Sequence, residues 1–334
     1  MEVDRKILRL AAAIVIGVAL LHMAADLLPE KPFLGITQED VIRTIFFLQT
    51  GRMIQFSEET IELPAETEPG PTEEILRKEQ QPEQVIFTQK DVERVQVSNL
   101  AGYTVDVEQM LQQPLEWMLR AEKPTVLVLH THGTESYENT EGYVEDSDYR
   151  TLDETYNMVS VGERLVQCLE AGGVQVIHDR TPYDQPSYSG SYSQARSAIQ
   201  TILEENPSIC LILDLHRDAM TNEQGEQIGY TQQTLEGTAA KLMLVSGSDA
   251  GGLEYPDWQE NLSLAVKLQA ILERRIPGIC RPVSFRTGRY NQDLFPNMLL
   301  VEVGAAGNTR QDALLAAEHL ASAILEMAAG TQYQ

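Results

Sequence analysis

The chain has 334 residues, 43% of them hydrophobic, and a formal net charge of −25 at pH 7. That length allows one large domain with appendages, or two domains. Acidity on this scale excludes nonspecific nucleic-acid binding, which depends on neutralising phosphates, so no nucleic-acid partner is expected.

Residues 1–30 read as a cytoplasmic stub and a transmembrane anchor. The stretch 8–28 is almost wholly apolar, with no charged residue from Leu10 to Ala25, and it meets the roughly 20 residues needed to span a bilayer. Arg5, Lys6 and Arg9 precede it, whereas Asp26 and Glu30 follow. The positive-inside bias therefore keeps the start in the cytoplasm and sends the rest across, giving a single-pass protein of the cell membrane with an extracytoplasmic domain. A cleaved signal peptide is the rival reading; a retained anchor is preferred because a signal's apolar region is shorter. Residues 31–56 form a juxtamembrane segment in which Val41-Ile-Arg-Thr-Ile-Phe-Phe-Leu48 has an amphipathic helical pattern. Residues 57–83 are rich in Glu and Pro, including Pro64, Pro69, Pro71 and Pro82. They read as an extended, self-repelling linker that holds much of the chain's acid.

A single α/β domain is expected over 84–334. Short strands at 85–87 and 95–97 and a helix at 106–120 lead into it. Strands at 125–130, 174–178, 208–215, 240–246 and 298–303 then alternate with helices at 153–171, 191–205, 259–275 and 310–328. This alternation predicts a partly parallel central sheet flanked by helices. The last helix is rich in alanine, a pattern for close packing, and His319 within it is assigned a structural role. Cys168, Cys210 and Cys280 form no disulfide framework and match no zinc-ribbon spacing; Cys210, inside an apolar run, is a core residue. Two loops, 137–149 and 183–192, combine tyrosines with acids or hydroxyls and are candidates for lining a groove.

Three of the apolar strands empty into residues that carry chemistry. Val126-Leu-Val-Leu129 runs into His130-Thr-His-Gly-Thr-Glu135. In open α/β sheets ligands bind beyond the carboxyl ends of the strands. His130 and His132 are two apart, so in an extended segment they point to the same side. Imidazole and carboxylate at that density suit zinc. The run ending at Leu215 is followed by His216, Arg217 and Asp218, and Glu302 is embedded in Leu299-Leu-Val-Glu-Val303. A carboxylate there is costly to bury unless it is paired, protonated or bound to a metal. The alternative for Glu302 is a salt bridge to Arg286 or Arg289. Arg217 suits an oxyanion or a substrate carboxylate, and the alternative is an ion pair with Asp214 or Asp218. No Gly-x-Ser-x-Gly elbow follows a strand, which argues against a serine hydrolase.

Taken in order, His-Thr-His-Gly-Thr-Glu-Ser-Tyr at 130–137, Asp-Leu-His-Arg-Asp at 214–218 and Tyr-Asn-Gln-Asp-Leu at 290–294 resemble the motifs of the stage II sporulation protein P family. That family is similar to the zinc-dependent N-acetylmuramoyl-L-alanine amidases, and the resemblance covers residues 85–330. It implies a peptidoglycan hydrolase of endospore engulfment, with endopeptidase action on cross-linked stems also credited to the family. It further implies zinc held by His132, His216 and a glutamate, either Glu135 or Glu154, of which Glu135 is preferred. His130 is then a ligand or a partner that orients one. Glu302 corresponds to the catalytic glutamate, with Arg217 beside it. Tyr290, Asn291 and Gln292 are expected near the substrate, with turn formation as the alternative. Peptidoglycan, a glycan-cleaving partner enzyme and a membrane scaffold protein are the implied partners. The competing readings are a zinc peptidase or carboxypeptidase of another substrate class and a non-enzymatic wall-binding module.

Overall fold

The computed structural model describes residues 84–115, 117–138 and 149–333, all within one unit, Glu73–Gln334. The expected anchor, juxtamembrane segment and acidic linker lie outside the described residues, as does most of the first expected groove loop. Among the described residues no helix is long and apolar enough to cross a membrane.

The chain runs through β1 (Val85–Phe87), α1 (Gln89–Val92), β2 (Val97–Asn99), α2 (Val107–Gln112), β3 (Val126–Leu129) and α3 (Met158–Ala171). It continues through β4 (Val176–His178), α4 (Ser191–Glu205), β5 (Leu211–Asp218) and a hairpin of β6 (Thr231–Gln233) and β7 (Thr238–Ala240). The last elements are β8 (Leu242–Ser246), α5 (Trp258–Arg275), β9 (Val283–Phe285), β10 (Met298–Ala305), α6 (Arg310–Glu326) and β11 (Thr331–Tyr333). Seven strands make the central sheet, in the order β2-β9-β8-β10-β5-β3-β4. Every neighbouring pair is parallel except β8 with β10. β10, β5, β3 and β4 therefore point their carboxyl ends the same way.

Burial on both faces explains why the central strands read as unbroken apolar runs. Val126 and Val128 of β3 join the cluster containing Leu165 of α3 and Leu320 of α6. Leu127 and Leu129 turn to the other face, against Ala195 and Ile199 of α4. This is the period-two alternation of a strand sandwiched between helix layers. The alanines of α6 are buried, and α6 packs on α3.

Two expected helices are shorter in the structure. The helix expected over 106–120 stops at Gln112, because Pro114 forces Gln113 into an extended conformation. The helix expected from 153 begins at Met158. Asn157 caps it by accepting from the Val159 N–H at 3.0 Å, and the Asp153 side chain instead turns the chain onto Thr155. The strand expected over 95–97 lies at Val97–Asn99. β6, β7, β9 and β11 have no counterpart in the sequence reading.

Candidate metal and active site

β3 ends at Leu129, and residues 131–134 form a turn. The turn is clasped to β5, since the Thr131 N–H and hydroxyl both donate to Asp214, at 2.8 and 2.6 Å. It presents His132 to Glu135 and to His216 of β5. His132 Nδ1 lies 3.6 Å from Glu135 Oε1, and His216 Nδ1 lies 3.6 Å from Glu135 Oε2. The three side chains are buried, and one ligand atom of each lies within 4.8 Å of the others.

The surroundings turn both Nδ1 atoms toward Glu135, where each offers a lone pair once its ring is neutral. Ser191 Oγ donates to the Tyr188 carbonyl and stands 3.1 Å from His132 Nε2, so its oxygen accepts the Nε2 proton. His216 Nε2 stands 3.0 Å from Asp214 Oδ1. With an oxygen beside the outer nitrogen, each ring turns its other nitrogen toward Glu135. A tetrahedral zinc sphere, with bonds of about 2.0–2.2 Å, sets its ligand atoms about 3.3–3.6 Å apart. The two 3.6 Å separations match that sphere and are too long for hydrogen bonds. The donor set of two imidazoles and one carboxylate fits zinc.

Glu135 is held from several sides. The Arg217 backbone N–H donates to Oε2 at 3.1 Å and Arg150 Nη2 to Oε1 at 3.2 Å. Arg150 also donates to Asp184 at 2.9 Å. Burial alone would raise the Glu135 carboxyl, but His132, His216 and the Arg217 charge hold it well below the usual carboxylate range. Burial opposes a proton on His216, yet Asp214 and Glu135 together raise it well above the ordinary histidine value.

Glu302 lies directly across from His216 in the β10–β5 register. Its Oε2 is buried without a hydrogen-bond partner among the described residues, and burial pushes its carboxyl up to about 8 against the opposing pull of His216. The alternative salt bridge does not form: Arg289 pairs with Asp293 at 3.0 Å, and Arg286 bonds to Ser284. Glu302, His132, Glu135 and His216 face one cavity of about 260 Å³, which Tyr188, Tyr192 and Tyr290 also line.

The structure separates the remaining expected residues. His130 is not part of the trio. The strand stops before it, so the period-two argument fails, and its ring turns toward α3. There His130 Nε2 meets His178 Nε2 at 2.9 Å, and its Nδ1 lies 3.3 Å from the Leu215 carbonyl. Burial and the neighbouring His178 push its pKa down to about 3. Glu154 is exposed and paired with Arg180, away from the trio. Arg217 borders the cavity, but its guanidinium donates to the Ser136 and Tyr149 carbonyls, both at 3.0 Å, and approaches Glu135 at 3.8 Å. It braces Glu135 and the adjoining loop. Neither alternative partner takes it: Asp214 serves Thr131 and His216, and Asp218 pairs with Arg281 at 2.7 Å.

Tyr290 lines the cavity, whereas the buried Asn291 and Gln292 hold the turn that carries it. Tyr290 and Asn291 have φ of 52° and 60°, the left-handed region that disfavours side chains. The turn is secured by Asn291 Nδ2 donating to the Tyr192 carbonyl at 2.8 Å and by buried Gln292, which bonds to the Gly247 N–H and the Val245 carbonyl. Sequence reasoning missed Asp214, Ser191, Arg150 and Asp184 as supports. Asp214 had a signal, since it lies two residues before His216 on the same strand face.

The family model and a curated relative point to one family. The sequence model of the stage II sporulation protein P family (SpoIIP) matches residues 43–325. Stage II sporulation protein P of Bacillus subtilis (strain 168) is 28% identical over 218 residues, 62% of this chain and 51% of that protein. The chain thus aligns with about half the length of that curated relative. Among solved structures, the N-acetylmuramoyl-L-alanine amidase AmiC2 of Nostoc punctiforme matches with a TM-score of 0.36 at 16% identity, covering 61% of this chain and 94% of that one. The CwlD amidase of Clostridioides difficile, solved in complex with the GerS lipoprotein, matches with a TM-score of 0.38 at 15% identity, covering 60% and 94%.

Proposed function

Because the chain belongs to the stage II sporulation protein P family, we propose that it is a zinc-dependent peptidoglycan hydrolase. The bond cleaved is the amide between N-acetylmuramic acid and the L-alanine of the stem peptide. The observation that carries this reading is the meeting of His132, Glu135 and His216 in one cavity with Glu302, whose buried Oε2 has no hydrogen-bond partner among the described residues.

His132, Glu135 and His216 would hold the zinc. When bound, it supplies a Lewis acid for the carbonyl and an acidified water for attack. Glu302 takes up a proton at its carboxyl and passes it to the departing amine nitrogen. A value raised to about 8 without metal suits the acid half of that cycle, and a cation nearby lowers it toward the base half. Ser191 and Asp214 orient the two rings, and Arg150 and Arg217 fix the Glu135 carboxylate.

Sporulation engulfment as the setting, additional cleavage of cross-linked stems, a glycan-cleaving partner and a membrane scaffold extend the proposal; family membership supports them. The apolar stretch 8–28 supports a retained anchor with the catalytic domain outside the cell membrane.

The test is digestion of purified sacculi by the full-length protein with zinc, with a chelator, and as Glu302→Gln. Mass spectrometry should find peptide-free glycan and intact stems with zinc alone. Cleavage indifferent to both chelator and substitution refutes the mechanism. Cut stems still joined to glycan would mean a zinc peptidase, and binding without products a wall-binding module.

A further inference from the structure

Three arginines border the cavity, and they differ in what they already hold. Arg150 is committed to Asp184 and Glu135, and Arg217 to two carbonyls and Glu135. Arg286 has no carboxylate partner among the described residues. Among these residues its side chain bonds from Nε to Ser284 Oγ at 2.8 Å.

That bond orients the guanidinium and leaves both terminal nitrogens, the end-on fork, for a ligand. The backbone beneath is pinned as well. The Arg286 N–H donates to the Ser246 carbonyl, and the Arg286 carbonyl accepts from Ser248 Oγ, both at 2.8 Å. Ser284 and Arg286 share one face of the strand end, while Phe285 between them packs on Trp258 in the core. A half-buried, pre-oriented arginine with a free fork is a receptor for a planar anion.

The sheet supplies the distance and the surface between. Ser284 of β9 pairs with Val245 of β8, and Val245 pairs with Leu300 of β10, two residues before Glu302. Two strand spacings separate β9 from β10, about 10 Å. Val245 and Leu300 line the cavity between them, an apolar floor. An extended residue spans about 3.5 Å. A carboxylate one residue beyond the scissile amide therefore comes within reach of the Arg286 side chain, with a small apolar side chain lying over Val245 and Leu300.

We infer that Arg286 is the specificity-determining residue of this cavity, binding a free α-carboxylate on the second residue of the substrate's stem peptide. The inference rests on the proposed peptidoglycan substrate and names the part of it that is read. A stem whose second residue is a D-glutamate joined onward through its γ-carboxyl carries such a carboxylate, and the isoglutamine form replaces it with an uncharged amide.

The test is binding, which separates this inference from the proposed reaction. Calorimetry on the full-length zinc-loaded protein compares N-acyl-L-alanyl-D-glutamate, its γ-carboxyl blocked as a methylamide, with the α-carboxamide analogue blocked in the same way. The carboxylate form should bind about tenfold to a hundredfold tighter, the range of a charge-assisted bond. Arg286→Met should reduce it to the affinity of the amide, and Arg286→Lys should restore part of the preference. Equal binding of the two dipeptides, binding of neither, or a preference that survives Arg286→Met overturns the inference. A dipeptide preference lost in Arg286→Met, together with sacculi left uncut by the zinc-loaded wild type, would sink the hydrolase reading and leave the carboxylate site standing.

Discussion

The cavity beyond β3, β5 and β10 and a second cavity at the end of α2, lined by Gln113, Ser263 and Lys267, each contain a buried group displaced toward neutrality. In the first, burial pushes Glu302 up to about 8. In the second, burial pushes Lys267 of α5 down to about 7. The neighbours differ. Glu302 faces His132, Glu135 and His216 and keeps an oxygen without a partner. Lys267 donates to Ser263 Oγ at 2.6 Å and to the Met110 carbonyl in the last turn of α2, where a cation suits the helix dipole. A displaced pKa marks burial in both places, and only convergent ligands and an unspent oxygen mark the first as chemical.

The strongest challenge to that contrast is Glu135→Ala. It removes the carboxylate shared by both histidines, so bound zinc measured by atomic absorption should fall to background and sacculus cleavage should be lost. Glu302→Gln should keep the zinc and lower the cleavage rate about 10²- to 10⁴-fold, the usual size of a lost acid–base group. Equal metal loss in both variants would erase the distinction between ligand and proton carrier.

Smaller effects sharpen the scaffold side. A Cβ on Gly162 would lie 2.5 Å from the His130 ring. Gly162→Ala should cost about 1–3 kcal/mol in urea unfolding, the range for overpacking, with zinc content unchanged. Metal loss without destabilisation would restore His130 to the trio. Lys267 gives a pH signature. Its folded value of about 7 lies below the unfolded 10.5, so the unfolded chain holds the extra proton between those limits. The cost is largest below pH 7 and shrinks as pH rises, by at most about 1.4 kcal/mol per unit. Lys267→Met should flatten that dependence, and parallel stability curves for the two proteins between pH 7 and 10 would count against it.

The long buried strands and their helices were legible because both faces of the sheet are covered and the runs stay apolar. Three-residue strands such as β9 and β11 carry too little pattern, and the sheet reversal at β8 leaves no local mark. Within the site, His132, Glu135, His216 and Glu302 were readable as interruptions at or near apolar strand ends. Arg150, Asp184 and Ser191 were not, because they reach the ligands from loops and a helix start whose approach is decided by the tertiary fold. His130 misled because its spacing from His132 has strand meaning only while the strand lasts.

β1 and β11 pair in parallel, Val85 beside Thr331 and Phe87 beside Tyr333. The two ends of the described region are therefore neighbours in space. A circular permutant joining them through a short crossover, and opened at the exposed Asn222–Gly225 turn, should retain the sheet. Deleting the last four residues should release Val85 and Phe87 as well, so a trim at one end will be felt as fraying at the other.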